Sequence, residues 1–283
     1  MDNSVHQQCY PLSAPVDSPV EIACQHSTLC QISLPRRRLP TRLFERQNGK
    51  RSILLKAGEL HDGETWVPQP MPFGPKARLL MLDWCSFARR NHTRVIPLGR
   101  PTDYLRHRLD LSSQGSQLHA MYEQTRAWVA CELKISQPCA GGRVEVVNMT
   151  PTARSVSMIE AGSTRTIWPE ELEFTAEAYA SLVEHSVPLD YCAALRLSGT
   201  ALGLDLYACW VERLCRIPRA KPLFLSWANL EKQFGQEYSN PKYFRDEFRA
   251  RVAQVWREAY PANVGFVPGG MKWRHTKPPI PER

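Results

Sequence analysis

The residues best placed for recognition chemistry lie between Tyr238 and Arg274. Asn240 and Pro241 stand where a helix N-cap and a first helical residue belong. Lys242, Arg249 and Arg257 then fall along one stripe of the expected helix, with Tyr243 beside its start and Arg245 at the stripe's edge. Tyr238 and Ser239 sit just ahead of the cap. Asn reads adenine and Arg reads guanine by paired hydrogen bonds, and Lys and Arg both neutralise phosphates. Lys272, Arg274 and His275 follow a Pro268-Gly269-Gly270 turn, where a hairpin carries positive charge toward a backbone or a minor groove. A solvated helix face and an ordinary hairpin end are the plainer readings of the same charges.

These residues need a frame, and the flanking pattern supplies one. Phe224-Leu225 reads as a short strand. Ser226 caps a helix Trp227–Phe234 that Gly235 ends. Phe244, Phe248, Val252, Val255 and Trp256 share an apolar face on the long basic helix. Val264 and Phe266, the Gly-Gly turn and Met271–Arg274 read as a hairpin. A helix-turn-helix followed by a β-ribbon is a winged-helix pattern that docks on duplex DNA. Upstream, Leu202, Leu206, Trp210 and Leu214 recur every fourth residue on a helix that anchors this core.

The same order occurs once more, without sequence repetition. A helix from Pro75 carries Leu80, Trp84, Phe87 and Ala88, a strand covers Arg94–Pro97, and Thr102 caps Asp103–Leu109. After a turn, a third helix starts at Ser116 and bears Tyr122, and two strands follow around Val129–Ile135 and Val144–Val146. Gln114, Ser116, Gln117 and Arg126 are this module's candidates for DNA contact, with a protein-binding surface as the alternative. Trp84, Phe87 and Tyr122 lie at core spacing. The expected class is α+β: tandem winged-helix modules, residues 34–150 and 174–283, behind a disordered tail 1–33. Residues 151–173 are the expected linker or bridging strands.

Composition narrows the function. The chain has 283 residues, 43% of them hydrophobic, and a net charge of +8, a balance suited to a polyanion. No apolar run reaches the roughly 20 residues of a membrane span. No secretory signal pattern opens the chain, and nine scattered cysteines suit a reduced, cytoplasmic setting. Cys24, His26 and Cys30, with Cys9 upstream, lack a standard two-pair zinc spacing. Gly49-Lys50-Arg51 lacks the upstream glycine and the hydroxyl of a phosphate-cradling loop. The histidines are scattered, and Asp205 and Glu212 read as surface ionic residues. The expectation is no catalysis, no metal and no cofactor.

The chain resembles the plasmid-encoded RepA replication-protein family. The resemblance rests, toward the C-terminus, on Val187-Pro188-Leu189-Asp190, Leu204-Asp205-Leu206-Tyr207, Leu225-Ser226-Trp227, Phe234-Gly235 with Tyr238, Tyr260-Pro261 and Gly269-Gly270. Toward the N-terminus it rests on Leu34-Pro35, Phe44-Glu45-Arg46 with Gly49, Pro72-Phe73-Gly74-Pro75, Ala77-Arg78-Leu79-Leu80 and Leu98-Gly99. It spans residues 34 to 281. It implies an initiator that binds origin repeats, opens the duplex and recruits the host initiator ATPase and replicative helicase, with homodimers repressing its own gene. An operator-binding regulator, a protein-interaction adaptor and a nicking or priming enzyme are the other readings of the residues themselves.

Overall fold

Polar residues near the N-terminus hide a folded segment. Ile22–His26 forms β1, which pairs antiparallel with Ser186–Asp190 far along the chain. His26 caps helix α1 (Ser27–Gln31), its ring accepting a hydrogen bond from the Thr28 amide at 3.2 Å. Its other ring nitrogen lies 3.2 Å from Ser181 Oγ, and Thr28 donates to Gln137 Oε1 at 3.3 Å. Buried polar groups need such partners, and here they have them. The expected tail 1–33 is therefore corrected for residues 22–33. The computed structural model describes residues 21–62, 64–109, 115–161, 164–235 and 238–280, so the rest of that tail lies outside the described residues.

The first unit is built on a four-stranded antiparallel sheet. β2 (Leu43–Asn48) and β3 (Arg51–Lys56) form a hairpin, and β4 (Glu59–His61) pairs with β5 (Trp66–Pro68). Helix α2 (Gly74–Arg90) carries Pro75 in its first turn, and β6 (Val95–Pro97) follows it. The expected helix 103–109 is a single turn, α3 (Pro101–Asp103), continued as a π-helical turn to Arg108. Helix α4 (Gly115–Ala130) leads into β7 (Glu132–Pro138) and β8 (Val144–Asn148), which complete the sheet in the order β2-β3-β7-β8. Ile53, Leu55, Leu133, Ile135 and Val147 point inward at alternate positions. Trp84 and Trp128 meet edge to face at 6.4 Å, and the Trp128 indole donates to the Ala77 carbonyl at 2.9 Å. Trp84 and Tyr122 are core residues, and Phe87 packs partly buried against them.

Of the two expectations for residues 151–173, a linker or bridging strands, it is strands that form. β9 (Thr152–Ala161) and β10 (Thr164–Glu173) pair in a long hairpin that extends from β6. Trp168, Leu172 and Phe174 enter the first core, and so do Ala178 and Leu182 of α5 (Ala176–His185). Along this stretch the first core runs to Leu182 and the second resumes at Val187, not at 174, while Ala23, Cys30, Leu79 and Leu82 also enter the second core. β10 supplies the apolar residues that close the first sheet's helical layer, and this ties it to that unit.

The second unit begins with β11 (Ser186–Asp190), the partner of β1, and α6 (Tyr191–Arg196). Thr200 caps α7 (Ala201–Leu214), which is buried almost all round. β12 (Leu223–Ser226), α8 (Trp227–Phe234), α9 (Pro241–Glu258), β13 (Val264–Val267) and β14 (Gly270–Trp273) follow, with the sheet in the order β12-β14-β13. Gly270 is required: a Cβ there would stand 2.1 Å from the Leu225 carbonyl oxygen of the paired strand. Gly269, at φ +82°, makes the turn.

The units are joined by a buried ion pair. Arg78 of α2 meets Asp205 of α7 through two bonds, 2.6 and 2.8 Å. Its remaining N–H groups donate to the carbonyls of Leu34, Pro35 and Gly74. Glu212 is buried as well, accepting from Gln31 at 2.7 Å and paired with Arg216. The surface reading of Asp205 and Glu212 is thus corrected. Both lie on a helix that other elements enclose, so their carboxylates face protein donors.

Candidate nucleic-acid interface

Helix α9 presents one apolar and one polar side. Asn240 accepts from the Lys242 amide at 2.8 Å and fixes the start, with Pro241 at the first helical position. Phe244, Phe248, Val252 and Val255 are buried. Trp256, expected on that face, is 52% exposed. At about 100° per residue it lies roughly 40° beyond Val252, past the edge of the buried arc. The outward side carries Lys242, Tyr243, Asp246, Arg249, Ala250, Ala253 and Arg257, all exposed. Small alanines between long cations leave room for a groove wall to approach the helix.

Two cations are held from below. Arg245 donates to Glu231 of α8 at 2.9 Å, and its guanidinium lies 5.5 Å from the Trp227 ring centre. Arg249 sits 4.9 Å from the same ring and 5.7 Å from Phe266 of β13, with Asp246 at 3.6 Å. Trp227 and Phe266 are themselves stacked, 5.8 Å apart and 13° from parallel. This aromatic pair links α8 to the hairpin and orients Arg249 above both. Nothing in either segment's sequence signals the other, so the platform is visible only in the fold.

Tyr238 is engaged internally. Its hydroxyl donates to Glu247 at 2.7 Å, its ring meets Phe244 edge to face, and Arg36 lies 4.2 Å above it. Burial, and then the hydrogen bond to Glu247, push its phenol pKa up to about 12. Arg36 also stands 3.8 Å from Glu247, while Arg38 reaches Glu123 of α4 at the same distance. The basic run 36–38 is therefore shared between the two units. Ser239 is exposed beside the cap.

Lys272 and Arg274 are exposed on β14 and just beyond it, on the sheet face opposite buried Met271 and Trp273. On the paired strands Lys272 lies opposite Phe224 and Gly265. His275 lies partly buried, 3.2 Å from the Ile217 carbonyl.

The first unit's candidates do not gather. Ser116 is exposed at the start of α4, whereas Gln117 and Arg126 are partly buried, with Gln117 Oε1 and Arg126 Nε wholly enclosed. Nine residues of helix turn Gln117 and Arg126 to opposite sides. Burial pulls the Arg126 pKa down. Gln114 lies outside the described residues.

Among the described residues no three His, Cys, Asp or Glu side chains gather to hold a metal ion, and no helix is long and apolar enough to cross a membrane. The site offers hydrogen-bond donors and positive charge. No family model matches the chain, and no curated protein matches it. Its fold is similar to that of solved structures of RctB. Selenomethionine derivatives of RctB domains 2 and 3 align with a TM-score of 0.51 at 13% identity, over 79% of this chain and 82% of that one. A second structure of RctB domains 2-3 aligns with a TM-score of 0.51 at 12% identity, over 81% and 82%.

Proposed function

We propose that the chain is a non-enzymatic plasmid replication initiator that binds repeated duplex DNA at an origin. In this reading the second unit is a winged helix. α9 enters the major groove with Asn240, Lys242, Tyr243 and Arg249, and the β13–β14 hairpin brings Lys272 and Arg274 to the backbone. The observation that carries it is α9 itself, capped by Asn240 and seated on α8, with an outward side of cations separated by alanines. The likeness to RctB domains 2 and 3 supports an initiator-like fold, and the RepA resemblance of the motifs points the same way. The work done is energetic: contacts to adjacent repeats offset the cost of bending or straining a neighbouring stretch of duplex. Host initiator ATPase and helicase then meet the exposed surface, and homodimers act on the chain's own promoter.

The test is binding of the full chain to tandem repeats from beside its own gene, against scrambled DNA, across a salt titration. Preference for the repeats that persists near physiological salt is expected. Equal, salt-sensitive binding to both would defeat the initiator reading, and preference for a single operator would move it to a transcriptional regulator.

A further inference from the structure

The β2–β3 turn, set aside above as a failed phosphate loop, walls a groove between the two units. A cavity of about 340 Å³ there is bounded by Gly49, Lys50 and Arg51 on one side and by Arg213 of α7 and Arg216 just beyond its end on the other. Two further cavities adjoin it at Gly49, and Lys232 of α8 lines both. The cations divide into two sorts. Arg51 is engaged with Ser27, Thr28 and Gln137 at 3.1, 2.8 and 3.0 Å, and Arg216 with Glu212. The side chains of Lys50, Arg213 and Lys232 have no hydrogen-bond or ion-pair partner among the described residues. Two carboxylates line the groove, Glu45 in the outer cavity and Glu212, paired with Arg216, in the main one, so the cations still outnumber them.

Unpaired cations held side by side repel, and an anion seated among them removes that cost. We infer that this groove binds phosphate groups along a nucleic-acid strand, as a contact separate from α9 and the hairpin. Two features select a strand over a single small anion. The three free cations come from three elements and from both units, and the groove runs through adjoining open cavities rather than one closed cradle. The groove lies beside Asn229 and Gln233 of α8, while Glu231, on another side of that helix, holds Arg245 of α9. A strand leaving the α9 site, or a displaced single strand, therefore has a second place to lie. The inference rests on the DNA-binding reading above.

The experiment compares the full chain with a variant carrying Lys50→Gln, Arg213→Gln and Lys232→Gln, and with a control carrying Lys56→Gln, Arg100→Gln and Lys221→Gln. The control removes the same charge from exposed positions off the groove. Affinity for origin duplex and for single-stranded DNA is measured against salt. Three lost phosphate contacts lower the duplex salt slope by about 2.7, so the affinity lost between about 50 and 200 mM salt shrinks by about 40-fold. The preference for repeats over scrambled DNA stays as in the wild type, because phosphate contacts do not read sequence. An unchanged slope, or an equal fall in the control, overturns the groove assignment while the α9 reading stands. Failure of the wild type to bind DNA overturns both. Stabilisation of the wild type but not the variant by millimolar AMP or inorganic phosphate would make this a small-phosphate site and overturn the strand assignment. Should the triple variant fail to fold, Lys50→Gln with Lys232→Gln, both at exposed positions, is expected to lower the slope by about 1.8.

Discussion

Asp205→Ala tests how the two units are held together. Arg78 has five N–H donors, and all five are met: two by the Asp205 carboxylate and three by the carbonyls of Leu34, Pro35 and Gly74. Both side chains are 7% exposed. Removing the carboxylate leaves a guanidinium that cannot shed its charge and has lost two acceptors out of reach of water. Breaking such a pair costs about 3–5 kcal/mol. At roughly 2–4 °C per kcal/mol for a chain of this size, Tm falls by about 10 °C. Arg78→Met is expected to cost more, because it strands Asp205 and three carbonyls together. The double variant Arg78→Met with Asp205→Leu, which would repair an ordinary buried pair, stays destabilised, because the carbonyls still lack donors. Urea unfolding followed by tryptophan fluorescence reads all three variants. A loss below about 1 kcal/mol for Asp205→Ala, or full recovery in the double variant, would refute the account of Arg78 as a hub tying α2, α7 and the 34–35 segment.

Three further outcomes are expected. Burial, then His185 and Arg51, drives the His26 pKa down to about 3, so the folded chain keeps this ring neutral while the unfolded chain protonates it below about 6.5. Stability is therefore complete above pH 6.5 and falls as pH drops toward 3, by about 2 kcal/mol at pH 5. His26→Asn, which retains a capping side chain, should flatten that part of the profile in thermal melts, and an unaltered profile would count against His26 as the cause. Gly270→Ala places a Cβ against the Leu225 carbonyl and should cost about 1–3 kcal/mol, measured by chemical denaturation; a neutral result would mean β12 and β14 are not so closely packed. Arg249→Ala should weaken DNA binding and lower the salt slope by about 0.9 if its guanidinium meets a phosphate, and an unchanged slope would remove it from the phosphate contacts.

Local rules wrote much of the second unit plainly. Ser226, Asn240 and Gly269 act within a few residues, by capping a helix or by making a turn, and the elements they bound stand where spacing puts them. The apolar rows on α7 and α9 did the same, except at Trp256, where a 3.6-residue period carries a side chain past the arc its neighbours bury. Legibility failed wherever a residue's partner lies far along the chain. His26 and Thr28 look like tail residues because groups that satisfy them, Ser181 and Gln137, are more than a hundred residues away. Asp205 looks like a surface acid because Arg78 lies 127 positions upstream.

The same rule sorts the candidate site. Asn240 and Lys242 were readable because a helix start is a local event. The setting of Arg249 was not, because it depends on Trp227 and Phe266 stacking across two elements. Tyr238, chosen for its place beside the helix start, is held by Arg36 and Glu247 and braces the turn. In the proposed DNA-binding reading, base contact is then assigned to its neighbours Asn240 and Tyr243, with Tyr238 fixing where they point. Tyr238→Phe separates the two roles. It removes the hydrogen bond to Glu247 but keeps the ring against Phe244 and under Arg36. A bracing residue predicts a loss of about 1 kcal/mol in stability with the preference between repeat and scrambled DNA intact. A contact to a base predicts the reverse, a changed preference at unchanged stability, and that result would return Tyr238 to the interface.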